Sequence, residues 1–132
     1  MGGRGAGGGG KGGGGGGGGY EDALKAVSQG GTPSTRKLLA KAIEKNPEKV
    51  KELQGKIKKD YGNNLTLYRA TRGSKLKGIE SFTDSPNIAG RMGANLKMTV
   101  PVSKIVGHYK YQAKQMWRSA GEHEVLVNFG GK

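Results

Sequence analysis

The sequence predicts an α+β fold, with helices in the first half of the chain and a small, mixed, mostly antiparallel sheet in the second. Apolar residues recur at helical spacing up to about residue 61 and alternate with polar residues from about 64 to 129. At three places a capping residue is followed directly by proline, as is typical of helix starts: Thr32-Pro33, Asn46-Pro47 and Ser85-Pro86. Helices followed by strands, without an internal repeat, indicate α+β rather than alternating α/β architecture.

Residues 1–19 are expected to form a flexible tail. They contain 15 of the 27 glycines and no aromatic or branched apolar side chain, so ordering them costs entropy and buries nothing. Residues 20–132 are then expected to form a single domain, with helices at about 20–61 and the sheet at about 64–129.

Three helices are predicted before the sheet. The first begins near Tyr20 and ends at Gly30, the second is capped by Thr32, and the third is capped by Asn46 and ends before Gly62. The side chains expected to face inward from the second and third helices are Leu38, Leu39, Ala42, Ile43, Val50, Leu53 and Ile57.

The predicted sheet begins with the segment "NLTLYRA", in which Leu65, Leu67 and Arg69 share one face and Tyr68 points to the opposite, core side. "KGIESF" is a second short strand, and a brief helix follows with Ser85 as its cap. "NLKMTVPVSKIVGHY" is expected to be one strand that bends near Pro101, and "EHEVLVNF" is the last strand. The segment "KYQAKQMWRSAG" is compatible with a helix or a loop.

Charge and composition limit the chemistry. The formal net charge is +13, and the tail supplies only Arg4 and Lys11 of it. The excess fits a polyanionic partner, such as nucleic acid, an anionic cofactor or an acidic protein, and it equally fits a basic protein kept soluble by charge. With no cysteine and only two histidines, no metal site is expected. The N-terminus lacks the apolar core of a signal peptide and no run approaches transmembrane length, so a cytoplasmic location is expected.

Three polar motifs occur in a fixed order along the second half. They are "LYRA" with Arg69, "ESFTDSP" before the short helix, and "GEHEVLV" with Glu122 and Glu124. In a strand, these two carboxylates share a face with their backbones about 6.5 Å apart. The combination resembles the mono-ADP-ribosyltransferases of the Arg–Ser–Glu type, and in particular the compact versions of phages and bacterial toxins. The resemblance covers about residues 64–129, and its most specific part is "EHEVLV".

That resemblance implies a fold of ADP-ribosyltransferase type and cleavage of the nicotinamide–ribose bond of NAD, with NAD as substrate and no metal. Glu124 would be the catalytic glutamate that stabilises the positive charge developing on the ribose. Glu122 would orient the acceptor and take its proton. Arg69 would bind the NAD phosphates or the adjoining ribose. A phage or toxin enzyme would act in the cytoplasm of the bacterial host cell.

The middle motif departs from the Ser-Thr-Ser run usual in that family. Thr83 is the preferred hydroxyl for the NAD site and Ser81 the second choice, while Phe82 packs either on nicotinamide or in the core. Trp117, the only tryptophan, is either an acceptor contact in the loop before the Glu-x-Glu motif or a core anchor. The 12 residues from Arg69 to Ser81 are few for the family, so elements of its usual fold are expected to be missing.

The sequence leaves the identity of the acceptor open. A Glu at position 122 is the family pattern for arginine acceptors, so an arginine of an acidic host protein is the first expectation. The basic charge favours RNA or DNA as an alternative acceptor, and a non-enzymatic nucleic-acid-binding protein is the alternative from a different class. The predicted basic helices, with nine basic and four acidic residues over 34–60, fit nucleic acid or a solvated surface.

Overall fold

The structure, a computed structural model, describes residues 18–70 and 76–130. These residues form four α-helices: α1 (Gly18–Gln29), α2 (Pro33–Lys45), α3 (Pro47–Tyr61) and α4 (Pro86–Arg91). They also form five strands: β1 (Asn64–Arg69), β2 (Ile79–Thr83), β3 (Leu96–Pro101), β4 (Ile105–His108) and β5 (Glu124–Asn128). The predicted α+β class is confirmed. The tail expected at residues 1–19 lies outside the described residues, except for Gly18 and Gly19, which begin α1.

The chain divides after Pro47 into two compact units, and the first contains the α1–α2 helix pair. Thr32 caps α2 as predicted, because its hydroxyl accepts from the Thr35 N–H at 3.2 Å while the Thr35 hydroxyl accepts from the Thr32 N–H at 3.0 Å. Leu39 and Ala42 are buried, but Leu38 is 52% exposed, so its predicted inward position is wrong. The inward line of α2 runs through Leu39 and Ala42, three residues apart, and Leu38 lies beside it.

The second unit is built on the sheet, whose strand order is β3-β1-β2-β5-β4 with every described pair antiparallel. Helix α3 covers it with Leu53 and Ile57, as predicted. Their burial with apolar side chains of the strands forms the core, which comprises Leu53, Ile57, Leu65, Leu67, Phe82, Val100, Val102, Ile105, Val125 and Val127.

The segment around Pro101 differs from the prediction of one bent strand. It forms β3 and β4, separated by a 3₁₀ turn at Val102–Lys104, and these strands occupy opposite edges of the sheet. Four flat strand spacings would put the edges about 19 Å apart, whereas the four chain steps from Pro101 to Ile105 reach at most about 14 Å. The sheet therefore curves, and Gln54 of α3 closes the corner by donating to Ser103 and Ile105 carbonyls at 3.1 Å each.

Two further elements of this unit are α4 and the segment that leads into β5. Helix α4 is capped by Ser85, whose hydroxyl accepts from the Ile88 N–H at 3.2 Å, as predicted. The segment before β5, left open between helix and loop, is a series of turns ending in a 3₁₀ helix at Ala120–Glu122. Within the described residues, no helix is both long and apolar enough to cross a membrane.

Candidate active site

The two motif glutamates lie on different elements. Glu122 ends a 3₁₀ helix, Glu124 begins β5, and His123 between them is left-handed at φ 53° and ψ 48°. The prediction that both lie on one face of a strand is therefore wrong, because a left-handed residue breaks the alternation of side chains. His123 is the only non-glycine residue with positive φ in the described part of the chain. Such a backbone is costly for a side-chain-bearing residue, so surrounding contacts must hold it.

A cavity of about 170 Å³ opens between the ends of β1, β2 and β5. It brings together the predicted site residues of all three motifs, although they are up to 55 positions apart in the sequence. The lining residues are Tyr68, Arg69, Ala70, Ser81, Phe82, Thr83, Met92, Glu122 and Glu124.

Glu124 is the most constrained side chain of the cavity. The Ser81 hydroxyl donates to Glu124 Oε2 at 2.6 Å, a short bond typical of a charged acceptor. Glu124 Oε1 is buried and has no hydrogen-bond partner among the described residues. A buried carboxylate oxygen without a donor is costly, so this atom is suited to accept a bond from a ligand hydroxyl.

Thr83 supports the other glutamate through its backbone. The Thr83 hydroxyl donates to the Glu122 carbonyl at 2.9 Å and accepts from the Ser85 N–H at 3.2 Å. The hydroxyl preferred from sequence therefore ties the turn before β5 to the start of α4. Ser81, the second choice, is the hydroxyl that contacts the Glu124 carboxylate. The Glu122 side chain itself is exposed at the cavity.

Arg69 is fixed across β1 and β2. Its Nη1 donates to the Ser81 carbonyl at 2.9 Å, and its Nη2 lies 3.1 Å from Glu80 Oε1. Arg69 Nε is buried without a hydrogen-bond partner among the described residues. Both Nη atoms of the Arg69 guanidinium thus contact other residues of the protein, and Arg69 holds Ser81 beside Glu124. Glu80 was not predicted from the sequence, and its only signal is a single acidic residue within a short strand.

The apolar wall of the cavity comes from Phe82, Tyr68 and Met92. Phe82 is 4% exposed, belongs to the core and packs on Phe129 at 5.9 Å between ring centroids, so the core alternative for it is confirmed, while packing on nicotinamide stays a prediction. Tyr68 lines the cavity and is only half-buried, so its predicted core position is wrong. Met92, at the end of α4, is 52% exposed and was not predicted.

Asp84 organises a cluster behind the Glu-x-Glu turn that the sequence did not predict. Its carboxylate accepts from the Tyr109 hydroxyl at 3.1 Å and lies 3.4 Å from His123 Nδ1. The rings of Tyr109 and His123 stack at 4.4 Å, and the Tyr109 N–H donates to the Glu124 carbonyl at 3.1 Å. Asp84 and Tyr109 therefore hold His123 in its strained conformation. Within the described residues, no group of three potential ligands is placed to bind a metal.

The pKa values of two neighbouring residues are shifted: Tyr109, and His108, whose ring stacks on that of Tyr109 at 4.9 Å. Burial, with the nearby charges of Lys110 and His123, lowers the pKa of His108 to about 4, so its imidazole is neutral at pH 7. Burial, together with the charge and hydrogen bond of Asp84, raises the pKa of Tyr109 to about 12. Its hydroxyl therefore keeps its proton and remains a donor to Asp84.

Trp117 lies on the loop before the Glu-x-Glu turn and is 56% exposed, so the core alternative for it is wrong. Its neighbours Met116 and Ser119 are buried instead.

No protein-family model, curated protein or solved structure matches the chain. A function for this chain therefore rests on the geometry of its cavity.

Proposed function

We propose that the chain is an NAD-dependent mono-ADP-ribosyltransferase with a fold of that type. The observation that supports this most is the state of Glu124, which lines the cavity: one oxygen is bound by Ser81, and the other is buried without a hydrogen-bond partner among the described residues. A carboxylate presented in this way is suited both to accept a ribose hydroxyl and to face positive charge developing on the ribose.

The cavity fits the reacting end of NAD. Sites for whole drug-sized ligands measure about 300–1,000 Å³, so 170 Å³ corresponds to part of such a ligand. Phe82 and Tyr68 offer aromatic surface for the nicotinamide ring, and Arg69 adds a cation to the lining of the cavity. Because Arg69 already pairs with Glu80, the main role of Arg69 in this proposal is to position Ser81 rather than to bind phosphate.

NAD supplies a ribose carbon whose bond to nicotinamide breaks heterolytically, with the electron pair leaving on nicotinamide. Glu124 stabilises the charge left on the ribose, and Ser81 holds the Glu124 carboxylate in place. Glu122, exposed at the cavity, takes the proton of the acceptor group that forms the new bond to the ribose carbon. One carboxylate thus serves the donor and the other serves the acceptor.

The decisive experiment incubates the protein with NAD labelled in the adenosine half and with bacterial lysate. Native protein, Glu124→Gln and the exposed control Glu52→Gln are compared, and free nicotinamide is measured alongside. We expect label in macromolecules with the native protein and the control, and a loss of about 10²–10³-fold with Glu124→Gln. Neither transfer nor nicotinamide release by the native protein would refute the proposal and leave the nucleic-acid-binding alternative.

A further inference from the structure

The loop of residues 109–122, which joins β4 to β5, is ordered by its own turns and ends at the cavity. The Met116 N–H donates to the Gln112 carbonyl at 2.9 Å, and the Ser119 N–H donates to the Met116 carbonyl at 3.1 Å. Met116 is fully buried and Ser119 nearly so, which leaves Trp117 and Arg118 between them in solvent. An exposed tryptophan on an anchored loop forgoes the burial that most favours this residue type. We call residues 109–122 the cationic loop.

Two pairs of a cation and an aromatic ring lie on the cationic loop. The Arg118 guanidinium lies 4.5 Å from the Trp117 ring centroid. Lys110 Nζ lies 5.4 Å from the ring of Tyr61 and 5.7 Å from that of Tyr111. Tyr61 belongs to α3, so folding adds a ring to the alternation of cations and rings that the loop sequence already contains. Such an alternation is typical of surfaces that bind single-stranded nucleic acid.

The positive charge of the cationic loop favours an anionic acceptor over a cationic one. The cationic loop contains three basic residues, Lys110, Lys114 and Arg118, and its one acidic residue is Glu122 itself. Asp60, a carboxylate that contacts the loop, accepts from the Tyr111 hydroxyl. An arginine acceptor would have to approach Glu122 past these like charges, whereas a polyanion would be attracted. The rings favour nucleic acid over an acidic protein, because unpaired bases stack on them.

We propose that the cationic loop binds single-stranded nucleic acid and presents it to Glu122 as the acceptor of ADP-ribose. The acceptor part rests on the proposed function. An amine or hydroxyl of the strand forms the bond to the ribose carbon, and its proton passes to the Glu122 carboxylate. The bond to nicotinamide breaks and its electron pair leaves with nicotinamide. A single strand is required, because in a duplex the base faces are stacked on each other and cannot reach the rings.

Trp117 is the only tryptophan, so its fluorescence reports directly on the cationic loop. The protein is titrated, without NAD, with a 12-nucleotide single-stranded DNA of mixed sequence at 50 and 200 mM salt. We expect quenching of the fluorescence. With three contributing cations, Lys110, Lys114 and Arg118, and a slope of about −0.7 per phosphate, the fourfold rise in salt should weaken binding about 20-fold.

Variants locate the binding by anisotropy of the labelled strand. Lys114→Gln with Arg118→Gln should reduce the salt effect to about threefold, since one of the three cations remains. The control Lys51→Gln with Lys56→Gln removes the same charge from exposed positions of α3 and should keep the native salt effect. Trp117→Ala should weaken binding roughly 5- to 150-fold, and Leu38→Ala, another exposed apolar side chain, should not.

Several results would overturn the proposal. Unchanged binding by Trp117→Ala or by the Lys114/Arg118 double variant would place the strand elsewhere. Equal affinity for poly-glutamate of the same charge would indicate an acidic protein as partner, and equal affinity for duplex DNA would exclude stacking. NAD turnover with label only in protein would refute the acceptor assignment and leave the transferase standing. Strand binding without any NAD turnover would refute the transferase and, with it, the acceptor assignment.

Discussion

The two glutamates of the Glu-x-Glu motif are two residues apart and yet differ in almost every structural respect. Glu124 begins a strand whose next three residues are fully buried, and its carboxylate is fixed by Ser81. Glu122 ends a 3₁₀ helix, exposes its side chain and is held through its backbone carbonyl by Thr83. The left-handed His123 separates the rigid strand from the exposed turn.

This difference matches the two tasks in the proposed reaction. Stabilising a charge that develops at one fixed atom requires a carboxylate that does not move, because electrostatic stabilisation depends on preorganisation. Taking a proton from an incoming macromolecule requires a carboxylate that the partner can reach. The motif therefore combines a strand end for the donor and a turn for the acceptor.

The largest difference between the loss of transfer and the loss of nicotinamide release is expected from Glu122→Gln. This variant keeps the size of the side chain and removes the proton acceptor, so transfer to the acceptor should fall about 10²-fold, within the range for general base catalysis. Nicotinamide release to water should fall much less, because Glu124 and Ser81 are unchanged. Rates of transfer and of nicotinamide release, measured on the same samples, check this.

The control Glu52→Gln, on the exposed surface of α3, should leave both rates unchanged. Equal losses of transfer and release in Glu122→Gln would show that the two carboxylates act as one unit, and the division of tasks would be wrong.

The stability of the protein is expected to be sensitive to acid through His108, which ends β4 and pairs with Val125 of β5. Its pKa is about 4 in the folded protein and about 6.5 when unfolded, so only the unfolded chain gains the proton as the pH falls below about 6.5. The stability present above that pH should decrease by about 2 kcal/mol between pH 7 and pH 5 through this residue alone. The decrease should continue to about pH 4.

Urea denaturation at pH 7 and pH 5 measures this contribution as a difference between native protein and His108→Gln, which cannot take the proton. The variant should lose less stability over the interval than the native protein. An identical pH dependence of the two proteins would mean that His108 is not held neutral by burial.

The strand side was largely predictable from sequence, and the turn side was not. Alternating apolar residues and proline after a capping residue are local signals, so β1, α4 and the caps at Thr32 and Ser85 were found. Six of the nine residues that line the cavity were predicted through the order of the three motifs along the chain, whereas Tyr68, Ala70 and Met92 were not. What failed was each feature that depends on distant contacts.

The conformation of His123 illustrates the limit. Nothing in "GEHEVLV" distinguishes a continued strand from a left-handed turn, because the contacts that hold the turn come from Asp84 and Tyr109. The pairing of Arg69 with Glu80 and the exposure of Trp117 likewise depend on neighbours in the fold. The edge position of β4 could not be read locally either, since it follows from the curvature of the whole sheet.

A smaller effect is expected from the two hydroxyls. Ser81→Ala removes the donor to Glu124 and leaves that oxygen unpaired, which should lower the rate of nicotinamide release about tenfold. Thr83→Val keeps the shape and removes the donor to the Glu122 carbonyl, so it should affect transfer more than release. Steady-state rates of both reactions check this, and a larger loss of release in Thr83→Val would make Thr83 the hydroxyl of the NAD site.

The smallest effect concerns the residue between the two sides. Glycine normally destabilises an element relative to alanine, but at φ 53° the order should reverse, because alanine retains the left-handed penalty that glycine avoids. Both variants lose the ring stacked on Tyr109, so their difference isolates the backbone. We expect His123→Gly to be more stable than His123→Ala by about 1 kcal/mol in urea denaturation. If alanine is equally stable, the turn at His123 is not left-handed in solution, and the structural separation of the two glutamates fails with it.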